Sequence, residues 1–324
     1  MTSSFKHKTL SLVAAASAAA LLAACGGGDG DTPQQQEQGW KTDANGNVTL
    51  RFAAYAGKTP VDCNSQITGV GTQPEQVLNL AQLRFYVSNV QLLKADGSKV
   101  ALKLAGSGND KFNYRDEQNA VTLIDLENKQ DGNACKGTPE VNPVITGTVP
   151  AGTYTGVAFT LGVPLALNHT NQRDTATTPL VLQDAQQPVM AWAWRGGRKF
   201  TNIELVNKAT STSTLLHLGS TGCTADVVNG AAPTECGAPN RVPMRFEQFD
   251  PAKQTVAMDL AALFSTDDTS KRNGCMAGPK HADCAGPFKA LALGFDAESG
   301  NGSGLPLAGQ TQTVFKAIDT PAGN

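Results

Sequence analysis

Two of the chain's three tryptophans stand one residue apart, in Met190-Ala191-Trp192-Ala193-Trp194. In extended backbone successive side chains alternate between faces, so Trp192 and Trp194 are expected on one face and Ala191 and Ala193 on the other. A packed aromatic pair is the ordinary use of this pattern, because large rings mostly serve burial. Two histidine-bearing segments shift the reading toward a site. Asn168-His169 is expected to close one strand, and His217-Leu218-Gly219-Ser220-Thr221-Gly222-Cys223 another. Imidazole in its neutral form is a metal donor. Met190 shares the tryptophan face and is an accessory thioether candidate, with core packing as its ordinary role.

The compartment follows from the N-terminus. Lys6, His7 and Lys8 form a basic start, residues 10–22 an apolar run too short to span a bilayer, and Leu22-Ala23-Ala24-Cys25 a small-residue cleavage site ending in cysteine. This resembles a bacterial lipoprotein signal. Residues 1–24 are then the signal peptide, with Cys25 lipidated and the chain anchored to a membrane by lipid rather than spanning it. Gly26, rather than an aspartate, follows the cysteine and points to the outer membrane, facing the periplasm. Residues 25–46 read as a tether, since its Gly-, Asp-, Gln- and Pro-rich start cannot bury a core. Residues 47–324 read as one domain.

Six cysteines remain: Cys63, Cys135, Cys223, Cys236, Cys275 and Cys284. An even number in an exported chain argues for disulfides. Short spacings favour Cys223 with Cys236 and Cys275 with Cys284, leaving Cys63 with Cys135. Six cysteines allow fifteen pairings, so spacing alone leaves the connectivity open. No Cys-x-x-Cys pair supports a thiolate metal site.

The elements that must carry these residues are strands. Residues 48–55, 83–92, 99–102, 152–161, 190–194, 199–205 and 214–218 are rich in period-two, β-branched or aromatic patterning, with Asp96-Gly97 as a hairpin turn. Residues 74–80 and 260–264 are expected to form short helices. Such short, turn-punctuated strands predict an all-β fold, an antiparallel β-sandwich with short helical segments and disulfide-bridged loops. A formal net charge of −2 with no basic stripe argues against nucleic acid as a partner.

Taken in order, several segments carry a specific resemblance: Leu83-Arg84-Phe85-Tyr86-Val87-Ser88-Asn89-Val90, Leu123-Ile124-Asp125-Leu126-Glu127, Leu161-Gly162-Val163-Pro164 with Asn168-His169, the Trp-x-Trp segment, His217 to Cys223, and Pro239-Asn240-Arg241. The series resembles the MbnP family of periplasmic copper-binding proteins across nearly the whole mature chain. That resemblance implies a MopE-like site in which the first tryptophan, here Trp192, is oxidised to kynurenine and binds one copper ion with histidines, here His169 and His217. It also implies a partner, a di-haem enzyme resembling MauG and bacterial cytochrome c peroxidases. Kynurenine brings an aryl amine and a ketone where indole has no free lone pair, and imidazole suits copper in either oxidation state. Met190 and Trp194 are possible accessory contacts, and the Met190 thioether would favour Cu(I). Where the family reads Gly-Tyr-Lys-Phe, this chain has Gly197-Arg198-Lys199-Phe200, which is expected to place a cation beside the site.

The implied role is a copper binder in copper homeostasis, not an enzyme: neither Gly-x-Ser-x-Gly nor His-Glu-x-x-His occurs. A copper-dependent oxidase would need a substrate pocket and a base that the sequence does not offer. The alternative is a surface lipoprotein sandwich that holds a glycan or protein through Trp192 and Trp194, which leaves both histidines idle. His281, inside the Cys275 to Cys284 loop, reads as an exposed loop residue, and Trp40 as a surface anchor at most.

Overall fold

Alternation in the first long apolar segment builds the strand Asn47–Ala56, with Val48, Leu50, Phe52 and Ala54 buried. The computed structural model describes residues 39–192, 196–224, 232–296 and 302–321. The signal segment, Cys25, the start of the tether and Trp194 lie outside the described residues. Two sheets make up the body. A six-stranded sheet runs Phe315–Asp319, Gln254–Asp259, Asn47–Ala56, Val144–Thr148, Lys103–Leu104, with Thr59–Val61 beside Asn47–Ala56. A nine-stranded sheet runs Val242–Phe246, Gly156–Leu161, Leu78–Leu93, Thr201–Asn207, Thr212–Leu216, Asn273–Cys275, with Lys99–Ala101 and Ala120–Asp125 also on Leu78–Leu93 and Asn113–Arg115 on Ala120–Asp125.

The sheets meet through aromatic rings. Phe52 lies 5.9 Å from both Phe85 and Phe159, and Phe85 lies 5.5 Å from Phe315, mostly edge to face. The sandwich is thus the expected all-β, mainly antiparallel one. Two pairings are parallel: Gln254–Asp259 with Asn47–Ala56, and Asn273–Cys275 with Thr212–Leu216.

The central strand Leu78–Leu93 is buried on both faces. Phe85 packs inward on Phe52 and Phe315, whereas Tyr86 points to the opposite face and donates its hydroxyl to the Val181 carbonyl at 2.9 Å. The segment from Leu165 to Lys199 therefore covers the outer face of the larger sheet, and it carries His169 and Trp192.

Four expectations are corrected. Residues 74–80 are not helical: Pro74 sits in turns closed by Gly69 N–H to its carbonyl at 2.8 Å, and the long strand begins at Leu78 because Leu78 and Leu80 continue the period-two burial. The segment from Met190 to Trp192 is not a strand either. Val189 and Gly197 adopt φ of +64° and +72°, and among the described residues of the segment only Ala191 forms a bridge, to Arg198. Asn168-His169 closes the short helix Leu165–Asn168 rather than a strand. Finally, the fold starts within the expected tether: Trp40–Lys41 pairs with Thr153–Tyr154, and the Trp40 ring lies 5.6 Å from that of Tyr154.

The helix expected near residue 260 forms as Leu260–Leu263, where the Asp259 carboxylate accepts the Ala261 and Ala262 N–H groups. Three disulfides join Cys63 to Cys135, Cys223 to Cys236 and Cys275 to Cys284.

Candidate metal centre

His169 is delivered by the turn after Pro164, which starts the four-residue helix Leu165–Asn168 and leaves the histidine at its C-terminal cap. The ring is 2% exposed. Its Nε2 lies 3.0 Å from the Asn168 side-chain nitrogen and 3.5 Å from Cys236 Sγ. The Asn168 amide is oriented by a second contact, since its Oδ1 accepts the Arg198 backbone N–H at 3.0 Å. The NH₂ end therefore donates to His169 Nε2, which assigns the ring proton to Nδ1. A metal at Nε2 would displace this amide donor.

Arg198, the cation expected beside the site, is fully buried. Its backbone bridges Ala191, so alternation turns its side chain away from the Met190 and Trp192 face. The guanidinium donates to the Asn168 carbonyl at 2.8 Å, the Thr170 carbonyl at 2.6 Å and the Leu182 carbonyl at 2.7 Å, and to Thr170 Oγ1 at 3.1 Å. It thus clamps the backbone on either side of His169. Burial lowers its pKa to about 10, which leaves it charged at neutral pH.

Trp192 is fixed through its backbone: its N–H donates to the Gly197 carbonyl at 3.1 Å, and its carbonyl accepts from Gln172 Nε2 at 2.7 Å. The indole lies across Gly219, where a Cβ would overlap ring atoms Cζ3 and Cη2. Only glycine at 219 leaves room for the ring. The indole edges a surface concavity of about 320 Å³ with Gly196, Ser220, Thr221, Gly222, Cys223 and Met276. Met190 is 1% exposed and belongs to the core. A larger cavity, of about 690 Å³ beside Trp40, Lys94 and Arg245, contains none of the candidate donors.

His217 follows the strand Thr212–Leu216, and its N–H donates to the Cys275 carbonyl at 2.9 Å. Its Nδ1 is buried and has no hydrogen-bond partner. Burial first, then the positive charges of Lys199 and Lys136, lower its pKa to about 4. The ring is therefore neutral at physiological pH, the form that binds metals.

Two of the sequence candidates, His169 and Trp192, approach one feature that sequence reasoning treated only as a staple, the Cys223–Cys236 bridge, and His217 is not in that cluster. His169 approaches it from the Cys236 side, and Trp192 shares a concavity with Cys223. The single described cluster of metal-type donors is His169, Cys223 and Cys236, whose donor atoms all lie within 4.8 Å of one another. Two features escaped sequence reasoning: the bridge's central place and the Arg198 clamp. The nearness in sequence of Cys223 to the His217 segment was the available signal for the first. His281 is 61% exposed, as expected of a loop residue.

The residues fit a soft or borderline metal. A buried imidazole with an orphaned nitrogen and a second buried imidazole with sulfur nearby suit copper rather than a hard cation.

A family model named MbnP matches residues 45–277. Among solved structures, the chain is similar to MbnP from Methylosinus trichosporium, with a TM-score of 0.70 and 29% sequence identity, covering 85% of this chain and 99% of that one. No curated protein sequence matches.

Proposed function

The chain belongs to the MbnP family, and from that premise we propose that it is a lipid-anchored copper binder of the cell envelope, acting in copper homeostasis rather than catalysis. In this reading Cys25 carries the lipid, and Trp192 is oxidised to kynurenine by a di-haem partner enzyme. The modified residue binds one copper ion with His169 and His217. The observation that carries the reading is the placement of Trp192. Its ring lies at a surface concavity, reachable by a partner, over the one glycine that gives it space and beside Cys223, whose bridge partner Cys236 lies 3.5 Å from His169.

The surrounding residues prepare this site without further movement. Gln172 and Gly197 hold the Trp192 backbone, so oxidation of the ring leaves the chain in place. Arg198 and Asn168 hold His169. Burial keeps His217 unprotonated, so no proton must leave it before a metal binds. Once modified, residue 192 supplies an aryl amine and a carbonyl oxygen where the indole nitrogen has no free lone pair.

The test is production with and without the di-haem partner. With it, the Trp192 peptide should gain about 4 Da, a ring carbon lost and an oxygen gained. Copper should then bind in a one-to-one ratio. His169→Ala and His217→Ala should each weaken binding, because each removes one of few donors. Stoichiometric, tightly held copper in Trp192→Phe protein made with the partner would overturn the kynurenine mechanism. Membrane-fraction analysis of Cys25→Ser checks the anchor, and the variant should be released.

A further inference from the structure

The three disulfides differ in how far solvent reaches them. Cys63 and Cys135 are 2% and 3% exposed, and Cys275 and Cys284 are both 0% exposed. Cys223 and Cys236, by contrast, are both partly exposed, and Cys223 edges the concavity beside Trp192. Exchange requires an external thiolate to reach a bridge sulfur, so access ranks the Cys223–Cys236 bond as the one a reductant opens first.

What opens is already arranged around an imidazole. His169 Nε2 is 3.5 Å from Cys236 Sγ, and the histidine donor and both sulfurs fall within 4.8 Å of one another. The hairpin keeps the two cysteines opposed without the covalent bond. Thr221 pairs with Ala238, Cys223 with Cys236 and Thr224 with Glu235. Its base is tied by Ser220 Oγ to the Pro239 carbonyl at 2.9 Å and by Asn240 Nδ2 to the Gly219 carbonyl at 2.7 Å. Directly opposed cross-strand side chains remain within reach of a common ion.

We propose that reduction of the Cys223–Cys236 bridge creates a second metal site, in which the two cysteine thiolates and His169 hold a soft monovalent cation, Cu(I). The reductant is a dithiol. Its two sulfurs join as a disulfide and give two electrons and two protons to the Cys223–Cys236 bond, which breaks to two thiols. Each thiol gives its proton to solvent as the metal–sulfur bond forms. Two thiolates and one imidazole make a soft, low-coordinate set that selects Cu(I) over harder ions. His169 belongs to this set and, on the reading proposed above, to the histidine and kynurenine set as well. The bridge is then a switch: oxidised, it leaves His169 to the first site, and reduced, it draws copper toward sulfur.

The experiment uses the full chain carrying His217→Ala and Trp192→Phe, so that failure of the kynurenine reading cannot affect the outcome. The protein is treated with a limiting dithiol, alkylated and mapped by peptide mass spectrometry. A second portion is titrated with Cu(I) against a chromogenic Cu(I) chelator. Cys223 and Cys236 should be labelled before the other four cysteines. Reduction should add one tightly held Cu(I) per chain, with copper–sulfur scattering in X-ray absorption. His169→Ala should weaken that site tenfold or more. Blocking the two thiols with iodoacetamide before copper is added should abolish the gain, a control that needs no cysteine variant to fold. The proposal is overturned if another bridge opens first, if reduction adds no Cu(I), or if the gain survives the blocked thiols.

Discussion

One strand shows two different uses of burial. On its inner face Phe85 meets Phe52 and Phe315 as rings on rings. On its outer face Arg84 pairs with Glu127 at 3.2 Å, and Tyr86 reaches the Val181 carbonyl under the segment that carries His169 and Trp192. Both faces are equally dry, but their physics differs. Apolar contact is tolerant of shape and indifferent to direction, whereas each buried polar group on the outer side needs one particular partner. The inner face makes the protein stable, and the outer face makes one arrangement of the loops preferable to the others.

If that division is right, damage to the inner face should cost stability alone. Phe85→Ala should lose about 3–5 kcal/mol, read as a fall in the denaturation midpoint. Where the protein still folds, its copper stoichiometry should be unchanged; a selective loss of copper would break the comparison. Joint replacement of Cys63 and Cys135 by alanine should cost about 4 kcal/mol, because that bridge closes a 72-residue separation. A negligible shift in urea midpoint would contradict it.

On the outer face Arg198→Met should cost about 2–3 kcal/mol, since the Asn168, Thr170 and Leu182 carbonyls lose their donor. The diagnostic result is a larger fall in copper affinity than in stability. Arg198→Lys should restore little of it, because an ammonium cannot span three carbonyls as the planar fork does. Equal stability and copper effects in both variants would make Arg198 an ordinary core residue.

The smallest effect concerns a buried carboxylate. Asp267 is 5% exposed with Oδ2 unpaired, and burial raises its pKa to about 7. The folded state therefore holds a proton that the unfolded state has lost. Its contribution to stability is full below about pH 4 and disappears as pH rises through about 7. Asp267→Asn, neutral throughout, should gain on the order of 1–2 kcal/mol relative to the parent at pH 8 and almost nothing at pH 4. A gain that does not change with pH would refute this assignment.

The residues that bear chemistry were legible as types: two histidines, a Trp-x-Trp and an even set of cysteines. Strands such as Asn47–Ala56 were legible from alternation because one of their faces is buried. Residues 74–80 misled because a short apolar stretch after proline fits a helix as well as a strand start. The role of Arg198 was not legible, because no local pattern announces a guanidinium spent on distant carbonyls. The parallel pairings were illegible for the same reason, since they join segments far apart in sequence.

One of those pairings sets the order in which the chain can fold. Phe52 lies opposite Val256 in a parallel register, so the six-stranded sheet cannot close until some 200 residues have been added after its first strand. The final strand Phe315–Asp319 then pairs with Gln254–Asp259 and finishes the edge. A topology dominated by such distant partners folds on the millisecond-to-second scale. Until Gln254–Asp259 is in place, one edge of the N-terminal strand lacks its partner, and an unpaired apolar edge is where an incomplete chain aggregates.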